Sequence, residues 1–247
     1  MTNNNKLKTL LLDIETAPNL GYVWEKYETD VIEFKREWYM ISFSVKWLGD
    51  TKTEVFSLPD FAEYKKDPES DIELCKKLWE FIDAADLIIA HNGDRFDLKK
   101  INARFVINGL KPPSPYKSID TLKIAKKHFG FVSNKLNDLG ITLGVGAKVE
   151  TGGFKLWKGC MSGDMKSWKQ MAKYNKQDVQ LLEKVYLKLR PWASTHPNVT
   201  IDNDLCCHTC GSTKVQKRGY NYSKLSKTQR WICTDCGSWS SGSSEKK

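Results

Sequence analysis

Leu10-Leu11-Leu12-Asp13-Ile14-Glu15-Thr16 is an apolar run that ends in two acids spaced one residue apart. A run of this kind, bounded by polar residues, reads as a buried strand; successive strand side chains point to opposite faces, so Asp13 and Glu15 project from the same one. Two like charges at the end of a core strand cost several kcal/mol unless something positive compensates them, and the run contains no Lys or Arg. Oxygen ligands of this type suit a hard divalent cation, Mg²⁺ or Mn²⁺, and two carboxylates are too few to hold one, so others must converge from elsewhere. Without such partners, Asp-x-Glu is only a strand end whose acids face water.

Working outward, Ala17 to Glu37 is polar and aromatic with no clean period (Trp24, Tyr27, Phe34) and reads as a long connection able to lie over the strand end. Trp38 to Trp47 and Thr51 to Leu58 predict two strands joined by a turn at Leu48-Gly49-Asp50, a hairpin beside the first strand. Asp60 to Ser70 is irregular. Ile72, Leu74, Leu78, Trp79 and Ile82 recur at helical spacing behind a cap at Ser70 or Asp71. The short strand Leu87-Ile88-Ile89-Ala90 leads through His91-Asn92-Gly93-Asp94-Arg95-Phe96-Asp97 into an amphipathic helix that Asn108-Gly109 closes. Taken alone, Asp97 is a favourable charge at a helix N-terminus.

Lys111-Pro112-Pro113-Ser114-Pro115 is a rigid connector. Ile119 to Phe129, capped by Asp120, and Leu136 to Leu143 predict helices. The glycines of Gly144-Val145-Gly146 and Gly152-Gly153 follow a helix and lack a Lys-Ser/Thr, so they are turns and not a phosphate loop. A last helix runs from Ser162 or Asp164 to Arg190-Pro191 and places Tyr174 and Asp178, four apart, on one face. The layout is α/β.

At 247 residues the chain can bury one core of ordinary size plus something small. A net charge of +9 and a pI near 9.1 favour a polyanionic partner over an acidic membrane patch. The charge is uneven, with eight basic and two acidic residues from Cys206 onward. The one early apolar run is three leucines long, and nothing later approaches the ~20 apolar residues of a membrane span. No signal peptide, no membrane and an intracellular, cytoplasmic protein are the expectation. Five of the seven cysteines fall after residue 205 at knuckle spacing, which in a reducing compartment argues metal over disulfide.

In order along the chain, Asp13-x-Glu15 on a first strand, Asn92-x-x-x-Phe96-Asp97 at a strand-to-helix junction and Tyr174-x-x-x-Asp178 on a late helix resemble the three motifs of the DEDD superfamily of 3′→5′ exonucleases. The Ala90-His91-Asn92-Gly93 lead and the Asp120-Thr121-Leu122 segment agree with it, and the resemblance covers about residues 7 to 190. It implies a ribonuclease H-like mixed sheet flanked by helices, in which Asp13, Glu15, Asp97 and Asp178 hold two Mg²⁺ or Mn²⁺ ions. The histidine branch would carry His five residues before the last Asp, where Lys173 stands, so the chain resembles the tyrosine (DEDDy) branch. The implied roles are Asp13 as bridging ligand, Glu15 and Asp178 on the ion beside the attacking water, and Asp97 on the other ion through water. Tyr174 would orient that water, and a phenol with a pKa near ~10 is no base at neutral pH. Asp94 is the rival of Asp97; Phe96 immediately before Asp97 favours the latter. Asn92 and Phe96 are the expected substrate contacts there, while Lys99, Lys100 and Arg104 are less telling.

Beyond a linker over 193–205, Cys207-His208-Thr209-Cys210-Gly211 and Cys233-Thr234-Asp235-Cys236-Gly237 are two Cys-x-x-Cys-Gly knuckles. Their spacing lets four thiolates meet around one structural Zn²⁺ and resembles a zinc ribbon. The expected division is an exonuclease domain over 1–192 and the ribbon over 206–247, whose small core makes the metal its fold. Cys206 is left free, and His208 is the less favoured substitute ligand. Lys217, Arg218, Tyr220, Tyr222, Lys224, Lys227, Arg230 and Trp231 interleave cations with rings, which suits a single-stranded backbone with stacked bases. A solvated ribbon or a protein-docking module is the alternative.

The expected function is a metal-dependent 3′→5′ exonuclease acting on DNA in preference to RNA, at single strands or 3′ ends, with a replication or repair protein as a second partner. An exoribonuclease, a structure-selective endonuclease and a non-catalytic nucleic-acid binder are the alternatives.

Overall fold

The alternation along the first strand sorts the core around the main sheet into two buried clusters, one on each face. In the computed structural model, which describes residues 7–27, 30–200 and 206–246, that strand is β1, Thr9–Thr16. Its Leu10, Leu12 and Ile14 enter one buried cluster and its Leu11 a second, on the opposite face. Asp13 and Glu15 share the face of Leu11.

After β1 come β2 (Leu20–Tyr22), β3 (Glu33–Arg36), β4 (Met40–Trp47) and β5 (Glu54–Ser57), then α1 (Ile72–Asp83), β6 (Leu87–Ala90), α2 (Asp97–Ile107) and β7 (Lys117–Asp120). The main sheet has the order β5-β4-β1-β6-β7, with the β1/β4 and β4/β5 pairs antiparallel and the β1/β6 and β6/β7 pairs parallel. Because β1, β6 and β7 run the same way, Asp13 and Glu15, the His91-Asn92 turn and Asp120 all emerge at one edge, where ligands of open α/β sheets collect. The β1/β4 register pairs Asp13 with Ser44 and Glu15 with Ser42, then slips between Glu15 and Thr16. A bulge there ends the ladder just past the second acid.

The helices α3 (Thr121–His128), α4 (Leu136–Thr142), α5 (Phe154–Met161) and α6 (Met165–Leu189) complete the layers. Leu74 and Leu78 of α1 and Ile101 and Phe105 of α2 cover one face; Val179, Leu182 and Tyr186 of α6 cover the other. The 25 residues of α6 make a rod of about 37 Å at 1.5 Å per residue, and Asp164 caps it by accepting from the Lys166 and Ser167 amides. The fold is the expected mixed sheet flanked by helices. Among the described residues, no helix is long and apolar enough to cross a membrane.

Three elements differ from expectation. The connection over 17–37 contains the two-stranded sheet β2–β3, whose short, exposed strands have no buried face to impose a period. Residues 117–120, expected in part as helix, form the edge strand β7; only two of its four residues are buried. The eight-residue α5 starts immediately after Gly152 and Gly153, both at positive φ, where only turns were expected.

Asp71 sits at the N-cap of α1 but makes no capping bond. Its carboxylate instead accepts from Arg104 Nε and a second guanidinium nitrogen, both at 2.7 Å, from Asn108 Nδ2 at 2.8 Å and from the Met40 amide at 2.9 Å, tying α1, α2 and β4 together. Removing one partner of such a buried pair strands the other, so Asp71→Ala should lower unfolding free energy by about 3 kcal/mol or more in urea titrations. A change under about 0.5 kcal/mol, the scale of an ordinary surface site, would mean the network contributes nothing.

At the C-terminal side, β8 (Val215–Tyr222), β9 (Ser226–Cys233) and β10 (Trp239–Lys246) form an antiparallel sheet of order β10-β9-β8. Of the expected linker, residues 201–205 lie outside the described residues. The described part is tied back where the Tyr186 hydroxyl meets His196 Nε2 at 2.8 Å, and the Val199 amide donates to the His208 carbonyl.

Candidate active site

Strand β1 delivers Asp13 and Glu15, and α6, packed on the same face, delivers Asp178. One carboxylate oxygen from each lies within 4.8 Å of the others. Asp13 accepts from Asn175 Nδ2 at 2.7 Å, and the same amide group reaches the Asp13 carbonyl at 3.3 Å. Asn175 is fully buried and takes the Ser42 hydroxyl on its own carbonyl, so one amide fixes both β4 and Asp13.

Asp97, the first residue of α2, is not in that close group. Its Oδ1 accepts from the Ile14 amide at 3.2 Å, between the two β1 acids. The rival Asp94 points elsewhere, into an ion pair with Lys123 at 2.5 Å. Asp120 caps α3 through the Leu122 amide and also accepts from the Asn92 amide at 2.8 Å. It thereby holds Asn92 at φ +62, a left-handed conformation that Asn tolerates better than most residues. Phe96 is exposed, with the Lys100 ammonium 5.1 Å from its ring centre and 3.9 Å from that of Trp38.

Crowding acids away from water raises their proton affinity. Burial, then Glu15, Asp97 and Asp178, hold the Asp13 carboxyl well above the usual carboxylate range. Burial and then Asp178 push Glu15 up to about 8. Burial pushes Asp97 up to about 6 despite its backbone hydrogen bonds. Asp178 is also raised by burial, against the pull of one cation, Lys148.

Lys148 was not singled out from the sequence. It lies in the glycine-flanked segment between α4 and α5, and its ammonium donates to Asp178 Oδ2 at 2.5 Å and to the Tyr174 hydroxyl at 3.2 Å. Burial pulls that ammonium down, but Asp178 and Asp13 outweigh it and raise its pKa. One positive charge does not balance this many carboxylates, and Asp178 Oδ1 is buried with no hydrogen-bond partner among the described residues. Clustered oxygen donors, surplus negative charge and an orphaned carboxylate oxygen together fit a hard divalent cation.

The second metal-type cluster is Cys207, Cys210, Cys233 and Cys236. Cys207 and Cys236 Sγ are 3.7 Å apart, as are Cys210 and Cys233. A tetrahedron with Zn–S bonds of about 2.3 Å has edges of about 3.8 Å, so the four thiols fit zinc. Burial pushes the Cys207 and Cys210 thiols up, a direction that a bound cation reverses. Cys206 is buried outside the cluster, and His208 is not in it.

On the ribbon, Lys217 pairs in register with Trp231, Tyr220 with Gln229 and Tyr222 with Lys227, so these side chains share a face. There the Lys227 ammonium sits 3.8 Å from the Tyr220 ring centre, and the Tyr220 and Tyr222 rings are 6.3 Å apart. Arg230 lies over Trp239, while Arg218 and Lys224 are exposed.

A family model described as the RNase H superfamily matches residues 27–190. In fold the chain is similar to the family B DNA polymerase from the hyperthermophilic archaeon Pyrobaculum calidifontis, with a TM-score of 0.54 at 16% sequence identity. That match covers 89% of this chain and 31% of the polymerase chain, so the chain spans about a third of the polymerase. No curated protein sequence matches.

Proposed function

The chain belongs to the RNase H superfamily, and from that premise we propose that it is a metal-dependent 3′→5′ exonuclease of the DEDD type, tyrosine branch, acting on DNA single strands or 3′ ends. The observation that carries this reading is the meeting of Asp13, Glu15 and Asp178 oxygens within 4.8 Å, with Asp97 held against the intervening Ile14 amide.

Those four carboxylates would hold two Mg²⁺ or Mn²⁺ ions. When bound, such ions supply an activated water and stabilise the departing 3′-oxygen. The chain's own groups prepare the site. Asn175 fixes the Asp13 carboxylate, the Ile14 amide aims Asp97, and Lys148 neutralises part of the charge on Asp178. Burial, then Asp178 and Glu15, push the Tyr174 phenol up, so it stays protonated at neutral pH and orients water as a hydrogen-bonding group. The four-cysteine ribbon, proposed as a separate unit over 206–247 around one Zn²⁺, would add a basic, aromatic handle for the strand.

A 5′-labelled oligonucleotide in DNA and RNA versions, incubated with Mg²⁺, Mn²⁺ or EDTA, tests the reading. A descending ladder on DNA with metal is expected; a single internal cut would replace it with an endonuclease, and a ladder on RNA alone with an exoribonuclease. Tyr174→Phe removes only the hydroxyl and should lower kcat by about 10²-fold, the scale of one positioned proton-handling group. Unaltered kcat would remove Tyr174 from the site.

A further inference from the structure

A cleft of about 650 Å³ shares Lys148 with the acid cluster. Its wall is built by Lys126 of α3, Asn134 and Lys135 just before α4, Asn137 of α4, and Asn92, and among the described residues no Asp or Glu lines it. Beside a centre crowded with carboxylates, a run of three ammonium groups and three amides without a single acid is a marked change of chemistry.

The wall is joined to the acids by direct bonds. Asn137 Oδ1 accepts the Lys148 amide at 2.8 Å, and the Lys148 ammonium pairs with Asp178. The Asn134 carbonyl meets His91 Nε2 at 3.0 Å, while its side-chain Oδ1 is buried without a partner among the described residues. Lys126 and Lys135 are exposed, and neither is in an ion pair among the described residues. A nucleic-acid strand that places one phosphodiester at the acids must bring its neighbouring phosphates close to the same negative field. Those phosphates need counter-charge within a short distance, and this cleft supplies it.

We propose that the cleft is the backbone subsite for the strand on the 5′ side of the scissile bond, with Lys126 and Lys135 contacting its phosphates and the side-chain NH2 groups of Asn92 and Asn134 donating to its backbone oxygens. The inference rests on the exonuclease reading and adds to it the path of the retained strand. Recognition of this kind reads phosphate charge and carries no base sequence.

The test is kcat/KM of the full chain on 5′-labelled oligothymidylates against salt and against length. Lys126→Ala/Lys135→Ala should flatten the slope of log kcat/KM on log salt by about 1.4, from about 0.7 per phosphate contact on single strands. It should also erase most of the advantage of long oligonucleotides over a dinucleotide. Lys65→Ala/Lys76→Ala removes the same charge from exposed positions outside the cleft and should leave both quantities as they are in the parent chain. Lys126→Glu/Lys135→Glu should exaggerate the loss. Cleavage that continues with a slope and length dependence equal to those of the control pair would overturn the cleft alone. No cleavage of any oligonucleotide by the parent chain would overturn the exonuclease reading and the cleft with it.

Discussion

Asp13→Asn should abolish phosphodiester cleavage and, in metal-free solution, raise the melting temperature. The two effects have one origin. Asp13 is the acid that meets Glu15, Asp97 and Asp178 at once, and burial together with those neighbours raises its pKa well above the normal range. Ionised and without metal, it is a net cost to the fold; asparagine has the same shape, and its oxygen can still accept from Asn175 Nδ2. Relief of about 1–3 kcal/mol corresponds to a rise of several degrees for a domain of this size. Activity should move the other way. A lost metal ligand removes several kcal/mol of transition-state stabilisation, or about 10³-fold or more in kcat at 1.36 kcal/mol per decade. Oligonucleotide cleavage with Mn²⁺ and thermal melts in EDTA give the two readouts. Retained cleavage would exclude Asp13 as a ligand, and a melting temperature lowered by several degrees would make it a structural residue.

Withdrawal of zinc should unfold the ribbon and leave the rest of the chain folded. Nearly every residue of β8 is exposed, and the buried residues between 206 and 240 are Cys206, Cys207, Cys233 and Ser238, three of the four being cysteines. A unit with almost no apolar core cannot offset its chain entropy, whereas a four-thiolate Zn²⁺ site contributes about 10–16 kcal/mol of apparent binding energy. Cys207→Ser or a strong chelator should therefore erase amide protection along β8 and β9 and release one equivalent of zinc, with protection in β1 and β6 unchanged. Protection in β8 that survives zinc removal would show the sheet to be held by something else.

Whatever depends on near neighbours can be read along the chain. Alternation in Leu10 to Glu15 is a local property, so it names a strand and puts two acids on one face before any partner is known. The helical spacing of α1, a cap for α6 at Ser162 or Asp164, of which Asp164 is the one used, and the two Cys-x-x-Cys knuckles are legible for the same reason. The exposed strands β2 and β3, which have no buried face to impose a period, and the four-residue edge strand β7, too short to show one, left no readable trace. Which groups share space is set by the packing of distant elements. That packing separated Asp94, paired with Lys123, from Asp97, held by the Ile14 amide. It delivered Lys148 from a glycine-flanked loop to Asp178, and Asn175 of α6 to Asp13. Those placements follow from sheet register and from the path of α6 across the sheet, sums over many distant contacts that no window of neighbouring residues contains.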